Sequence, residues 1–270
     1  MTSNPIESPC TDKFDVAVVG GGPAGATAAT ELARMGHRVL LLDRDGRIKP
    51  CGGAVPPQLL REFDIPQELL EAEVNTARMI APSDVAVDMD VGGFVGMVDR
   101  EQFDEWLRER ATQAGADRRI GTFERIERCD GGLNVHYTSK VDGKRQQRQA
   151  QARIVIGADG AASKVRKQAM PKAKDFRHVF AYHEIVRSPE AATDKFDPQR
   201  CDVYYQGKIS PDFYGWVFPH GERTSIGTGT AVKGFSLRTA VERLREETGL
   251  KDNEVVRCEG APLPLQPLRL

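Results

Sequence analysis

Apolar positions follow three different rhythms along the chain, and each predicts a different kind of element. Residues 14–19 (Phe-Asp-Val-Ala-Val-Val) and 39–42 (Val-Leu-Leu-Leu) are short, nearly continuous runs rich in branched side chains. Such runs predict parallel strands buried on both faces. Between them, the small residues of 24–35 predict a helix that stops at Gly36. Helical spacing returns at Phe103, Trp106, Leu107, Ala111 and Ala114. Asp99 opens that helix, Gln102 completes a capping-box pattern and Gly115 ends it. Short helices are expected at 58–62 and 67–71, and short strands over 76–98 with turns at Pro82-Ser83-Asp84 and Gly92-Gly93. Residues 118–156 alternate as a strand meander, turning at Asp130-Gly131-Gly132 and Asp142-Gly143, with its last strand at 152–156. The stretch 176–231 is β-rich and aromatic, with strands expected at 179–186, 201–206, 214–218 and 225–230, and a helix follows at 236–248. The prolines of 261–270 exclude a helix or a central strand there.

The junction of the first strand and helix carries chemistry. Gly20, Gly22 and Gly25 form a G-x-G-x-x-G turn, continued by Pro23 and Ala24 at the helix start. Glycines there permit a tight bend and close backbone approach to a pyrophosphate, and the helix N-terminus attracts its charge. Asp43, with Arg44 after it, ends the second strand. Strand, turn, helix, strand and acid in this order predict a dinucleotide site. A carboxylate at Asp43 would accept ribose hydroxyls and repel a 2′-phosphate, so this unit should hold FAD or NAD rather than NADP.

Composition narrows the field. A chain of 270 residues can build one large or two modest domains. Its net charge of −1 and pI near 6.5 leave no footprint for nucleic acid. The densest basic stretch, 144–153, is broken by glutamines and reads as a solvated hairpin edge. No apolar run reaches the ~18 residues a membrane span needs. The polar N-terminus lacks a secretory core, and five unpaired-looking cysteines suit a reducing cytoplasm. No His/Cys spacing suggests a metal site.

The βαβ start, the meander and the returning Gly157-Ala158-Asp159-Gly160 resemble the two-domain FAD oxidoreductases that include aromatic-ring hydroxylases and geranylgeranyl reductases. That resemblance implies an α/β fold: a Rossmann-like FAD/NAD(P)-binding domain with an antiparallel β-rich substrate domain. The expected division is 1–175 for the first, with 76–97 packing against the second, and 176–270 for the substrate domain. It also implies that Asp159 and Gly160 lie near the flavin nucleotide or the nicotinamide cofactor. Arg100, in the string Val98-Asp-Arg-Glu-Gln-Phe-Asp104, is implied to lie near the FAD phosphates or ribityl chain. An Asx-type turn is the alternative for Asp159.

Two further strings select the branch. Pro50-Cys51-Gly52-Gly53 resembles the Pro-x-Cys-Gly-Gly element of geranylgeranyl reductases, whose cysteine faces the flavin. Tyr214-Gly-Trp216-Val-Phe218-Pro resembles their Tyr-x-Trp-x-Phe-Pro element, which walls an isoprenoid cavity. Gly46 to Ala54, Gly93 to Glu101 and Tyr204 to Gly221 extend the likeness to the photosynthetic branch, which serves chlorophyll or bacteriochlorophyll synthesis. The resemblance implies FAD and NADPH as cofactors, and saturation of three isolated double bonds in a geranylgeranyl chain. Its substrate is the free diphosphate or the tail of a chlorophyll, with peripheral contact to a photosynthetic membrane. Cys51 is the first candidate for positioning or protonation at the flavin, followed by Tyr214 and His220. Trp216 and Phe218 are candidates for substrate contact, together with Tyr214. Packing alternatives stay open: Cys51 as a small buried hydrophobe, and Trp216 and Phe218 as parts of a two-sided buried strand.

Relatives in this family continue after 259–265 into a Gly-Asp-Ala-Ala-Gly turn that holds FAD, and nothing similar follows here. The chain is therefore expected to be C-terminally truncated. Two rival functions follow: a flavin-dependent aromatic-ring monooxygenase on the same scaffold, and an inactive fragment that binds nucleotide weakly.

Overall fold

The computed structural model describes residues 12–44, 49–172 and 177–265. The polar N-terminus, residues 46–48 of the Gly46 string and the tail 266–270 lie outside the described residues. The chain divides into two units, 1–47 with 104–174 and 48–103 with 175–270.

In the first unit, β1 (Lys13–Val19) pairs in parallel with β2 (Val39–Asp43) on one side and with β9 (Lys144–Gly157) on the other. With β6 (Asp117–Ile120), β7 (Thr122–Cys129) and β8 (Gly132–Val141), the sheet order is β6-β2-β1-β9-β8-β7. Alternate residues of the apolar runs separate onto two faces. Ala17, Val19, Leu40 and Leu42 pack with Phe123, Val135 and Tyr137, while Val16, Val18, Val39 and Leu41 pack with Ala29 and Ala111. Ala29 belongs to α1 (Pro23–Arg34) and Ala111 to α3 (Arg100–Gln113). Asp99 caps α3 by accepting from the Glu101 amide at 2.8 Å. The strand expected at 152–156 is the distal part of β9, whose first half is the exposed edge of a hairpin with β8.

In the second unit, the sheet order is β14-β10-β13-β12-β11-β4-β5-β3. These strands are β3 (Ala54–Val55), β4 (Leu70–Ile80), β5 (Ala86–Val98), β10 (His178–Arg187), β11 (Arg200–Tyr204), β12 (Gly215–His220), β13 (Arg223–Thr230) and β14 (Val255–Pro264). Its pairings are antiparallel except β11 with β4. α2 (Pro57–Glu62) forms where a short helix was expected. α5 (Leu237–Glu247) buries Val241 and Leu244 against Val186, Val217 and Ile226. Ser236 caps α5 through the Thr239 amide.

Three expectations change. The helix at 67–71 shrinks to a 3₁₀ turn at Gln67–Leu69, because Leu70 already enters β4 and pairs with Val98. Glu71 therefore sits on a strand. The short strands of 76–98 are two long ones, with the register shift at Val74/Thr76 absorbing the irregularity, and β5 continues through Gly92-Gly93. The domain boundary also moves. β3, β4 and β5 hydrogen-bond into the sheet of the second unit, so all of 48–103 belongs there, not only 76–97. The proline-rich end forms edge strand β14, in which Pro262 lies opposite Phe180. An edge position spares a proline the amide bond a central strand would demand.

Candidate functional site

Each unit carries one group of predicted residues. In the first, the Gly20–Gly25 turn follows β1 and leads into α1. Gly20 has φ +108°, and a Cβ there would strike the carbonyl of Ala158. A Cβ at Gly25 would collide with the Gly20 carbonyl. Both glycines are thus required by chain crossing chain. At Gly22 a Cβ would meet nothing within 4 Å, so open space lies outside the turn. Gly22 caps α1 without a side-chain hydrogen bond, and Pro23 follows it. The first-turn amides of a helix lack internal acceptors and point at such a space. This cradle fits the pyrophosphate of a dinucleotide.

Asp43 ends β2 with its Oδ2 3.4 Å from Arg108 Nη1 on α3. The same guanidinium donates to the Gly21 carbonyl at 3.2 Å, so Arg108 ties the acid to the turn. Arg44 is exposed beside it. Asp159 makes a longer-range contact than the Asx-type turn given as its alternative: Oδ1 accepts from Ser163 Oγ at 2.5 Å, and Oδ2 accepts from the amides of Lys164 and Val165 at 2.6 and 3.2 Å. It thereby holds the first turn of α4 (Lys164–Ala169), whose N-cap is Ser163, while the neighbouring Ala158 backbone abuts Gly20 and Gly160 turns with φ +84°.

The second unit gathers the rest. Along β12, Gly215, Val217 and Pro219 alternate with Trp216, Phe218 and His220, and the second set lies against the loop Cys51-Gly52-Gly53. A Cβ at Gly52 would sit 3.1 Å from the Phe218 ring and 3.6 Å from Trp216 Nε1. One at Gly53, where φ is +74°, would run into the His220 ring. His220 is buried, and its Nε2 lies 2.9 Å from the Gly52 carbonyl. Its Nδ1 lies 3.4 Å from Glu71 Oε2, and Arg223 bonds the other oxygen of Glu71 at 2.9 Å. Burial alone would raise the Glu71 carboxyl, but the His220 bond and the Arg223 charge hold it below the usual range. Cys51 is exposed and, with Lys49, Arg100, His220 and Arg223, lines a cavity on this face.

Tyr214 stacks on Phe213 at 4.2 Å and meets Trp216 edge-on at 6.0 Å. Burial, then the neighbouring Tyr205 and Cys51, raise its hydroxyl pKa above the ordinary value of 10.0. The unit thus assembles Cys51, Gly52, Gly53, Trp216, Phe218, His220 and Tyr214 as a thiol loop backed by an aromatic wall. Phe218 also touches the small core of Val74, Met97 and Cys201, so the two-sided strand and the wall are the same object. Sequence reasoning missed Glu71, His183, Ser225 and Glu259. Glu71 was hidden by the helix reading, and the others meet through strand register, for which a single chain carries little signal.

A family model described as an FAD binding domain matches residues 13–225. The chain belongs to that FAD-binding family. It is 57% identical to the geranylgeranyl diphosphate reductase of Rhodobacter capsulatus over 257 residues, which is 95% of this chain and 64% of that one. It is 38% identical to the chloroplastic geranylgeranyl diphosphate reductase of Oryza sativa, covering 96% of this chain and 58% of the relative. A crystal structure of a geranylgeranyl bacteriochlorophyll reductase-like protein from Thermoplasma acidophilum superposes with a TM-score of 0.82 at 26% identity, covering 95% of this chain and 67% of that one. The resemblance drawn from the motifs holds over nearly the whole chain, and FAD is its cofactor. The chain spans less than two thirds of the length of these two curated relatives. Among the described residues, no helix is long and apolar enough to cross a membrane.

Proposed function

We propose that this FAD-binding chain works as a reductase that uses NADPH to saturate geranylgeranyl double bonds, on the free diphosphate or on the tail of a chlorophyll or bacteriochlorophyll. The observation that carries this reading is the Cys51–Gly53 loop held against the Trp216, Phe218 and His220 face. Support comes from the names of the relatives, which are geranylgeranyl diphosphate reductases. When bound, FAD supplies a hydride equivalent to one alkene carbon. The residues of the chain do the rest. The Gly20–Gly25 turn and the first amides of α1 hold the pyrophosphate, and Asp43 accepts from a ribose hydroxyl.

An isolated alkene offers no charge to grip, so alignment in a dry slot must supply the rate. Trp216, Phe218 and Tyr214 provide apolar, rigid surface for that alignment. Protonation of the second carbon falls to the Cys51 thiol or the Tyr214 hydroxyl, which can each present a proton at this wall. Both ring nitrogens of His220 are engaged, one with Gly52 and one toward Glu71, so His220 positions the loop that carries Cys51. A lipid-dissolved tail would bring the enzyme to a membrane surface peripherally.

The test is anaerobic turnover with FAD, NADPH and geranylgeranyl diphosphate or geranylgeranylated bacteriochlorophyll, read by mass spectrometry. The expected product gains hydrogen stepwise. Aerobic oxygen uptake matching NADPH consumption, with a hydroxylated product, would instead establish the monooxygenase.

A further inference from the structure

Four neighbouring strands place Trp216, Gly227, His183 and Glu259 in one transverse row. Trp216 is opposite Gly227, Gly227 is opposite His183, and His183 is opposite Glu259. The adjacent row on the same face is Phe218, Ser225, Ile185 and Arg257. At Gly227 a Cβ would collide with both the Trp216 indole and His183. Its absence lets the two rings lean across the strand, centroids 6.1 Å apart, toward the hydroxyl of Ser225. Trp216 Nε1 lies 3.1 Å from Ser225 Oγ, His183 Nδ1 lies 3.0 Å from it, and His183 Nε2 lies 3.1 Å from Glu259 Oε2. Arg257 Nε lies 3.0 Å from the other oxygen of Glu259, an ion pair without hydrogen-bond geometry.

Donor chemistry orders this chain. An indole N–H can only donate, so Ser225 Oγ accepts from it. The carboxylate of Glu259 accepts, which places a proton on His183 Nε2. His183 is buried, and burial lowers its pKa despite the Glu259 charge, favouring the neutral ring. A neutral ring protonated at Nε2 has a bare Nδ1, which accepts the proton of Ser225.

We infer that Ser225, His183 and Glu259 are positioning residues for Trp216, a one-way donor chain that fixes the indole against Gly52 and thereby the seat of the Cys51 loop. The inference rests on the aromatic wall assigned above but does not need the reductase activity. Ser225 and Glu259 line the same cavity as Cys51 and His220, so the chain runs along the cavity wall. A core that needed only packing would fill this row with apolar side chains. Here a polar residue aims each ring, because a satisfied hydrogen bond fixes orientation while apolar contact alone leaves an indole free to slide.

The test is nitrogen-15 NMR on the full 270-residue chain. Long-range couplings of His183 should report a neutral ring protonated at Nε2 across neutral pH. A doubly protonated ring, or one protonated at Nδ1, would overturn the order of the chain and needs no variant. In a Trp106→Phe background the remaining indole N–H belongs to Trp216. Ser225→Ala should speed its hydrogen exchange by about tenfold, the factor that one lost buried hydrogen bond represents. His183→Leu should do the same without touching the indole nitrogen, and His183→Asn, whose amide oxygen can replace Nδ1 as acceptor, should restore much of the protection. Combining Ser225→Ala with His183→Leu should add little to either alone. Additive effects, or no rescue by asparagine, would show that His183 merely packs. Loss of turnover with all these signals intact would count against the proposed function and leave the positioning chain standing.

Discussion

At the scale of single residues, the two glycine-rich segments do different jobs that substitution separates. Gly25 is crossed by the Gly20 carbonyl, so Gly25→Ala should cost about 1–3 kcal/mol through overpacking, read as a lower urea midpoint, and should weaken nucleotide retention. Gly52 borders rings that can yield, so Gly52→Ala should be better tolerated and should instead shift Cys51 alkylation kinetics. His220→Ala leaves the half-buried Gly52 carbonyl without its donor and should cost about 1 kcal/mol. It should also raise the Cys51 alkylation rate, measured with Cys10, Cys129 and Cys258 replaced. Asp159→Ala removes the acceptor of two amides and a hydroxyl at α4, and should lower stability by about 1–2 kcal/mol. Unchanged stability with lost flavin affinity would assign Asp159 to the cofactor instead.

At the scale of elements, legibility followed the physics of periodicity. β1, α1 and β2 were visible because a two-sided buried strand and a glycine turn each leave a local mark. Helix α3 was visible because its apolar stripe and its Asp99 cap are local too. The error at 67–71 arose where polar side chains alternate on β4 without an apolar rhythm, since helical and strand patterns are then indistinguishable. That error concealed Glu71, which faces His220 only once β4 is drawn out. β14 was missed for a related reason: its prolines argued against a central strand, and its edge position evades that argument. The row from Trp216 to Glu259 spans four strands, and nothing in 216, 227, 183 and 259 taken singly announces it. Among elements, α5 bears the core of the second unit. Leu244→Ala should destabilise by about 2–5 kcal/mol, measured by chemical denaturation, with the packing of Tyr182 and Tyr204 against the same core loosened.

At the scale of the whole molecule, acid should act through two groups of the second unit. Glu71 has its folded pKa depressed, so its stabilisation is present above the ordinary value of 4.5 and is lost as pH falls below it. His183 has its folded pKa lowered from 6.5, so the unfolded chain takes up that proton first and stability declines as pH drops below about 6.5. Denaturation midpoints measured from neutral pH downward should fall in both windows. Glu71→Gln should flatten the lower window and His183→Asn the upper one; a profile unaltered by either variant would contradict the assigned contacts.

This chain folds an FAD site in one unit and, in the other, a thiol loop and aromatic wall suited to reduction. The most direct test is the visible spectrum of the purified chain after incubation with FAD and desalting, followed by anaerobic NADPH. The purified chain should retain a flavin band that NADPH bleaches. A colourless protein would contradict it.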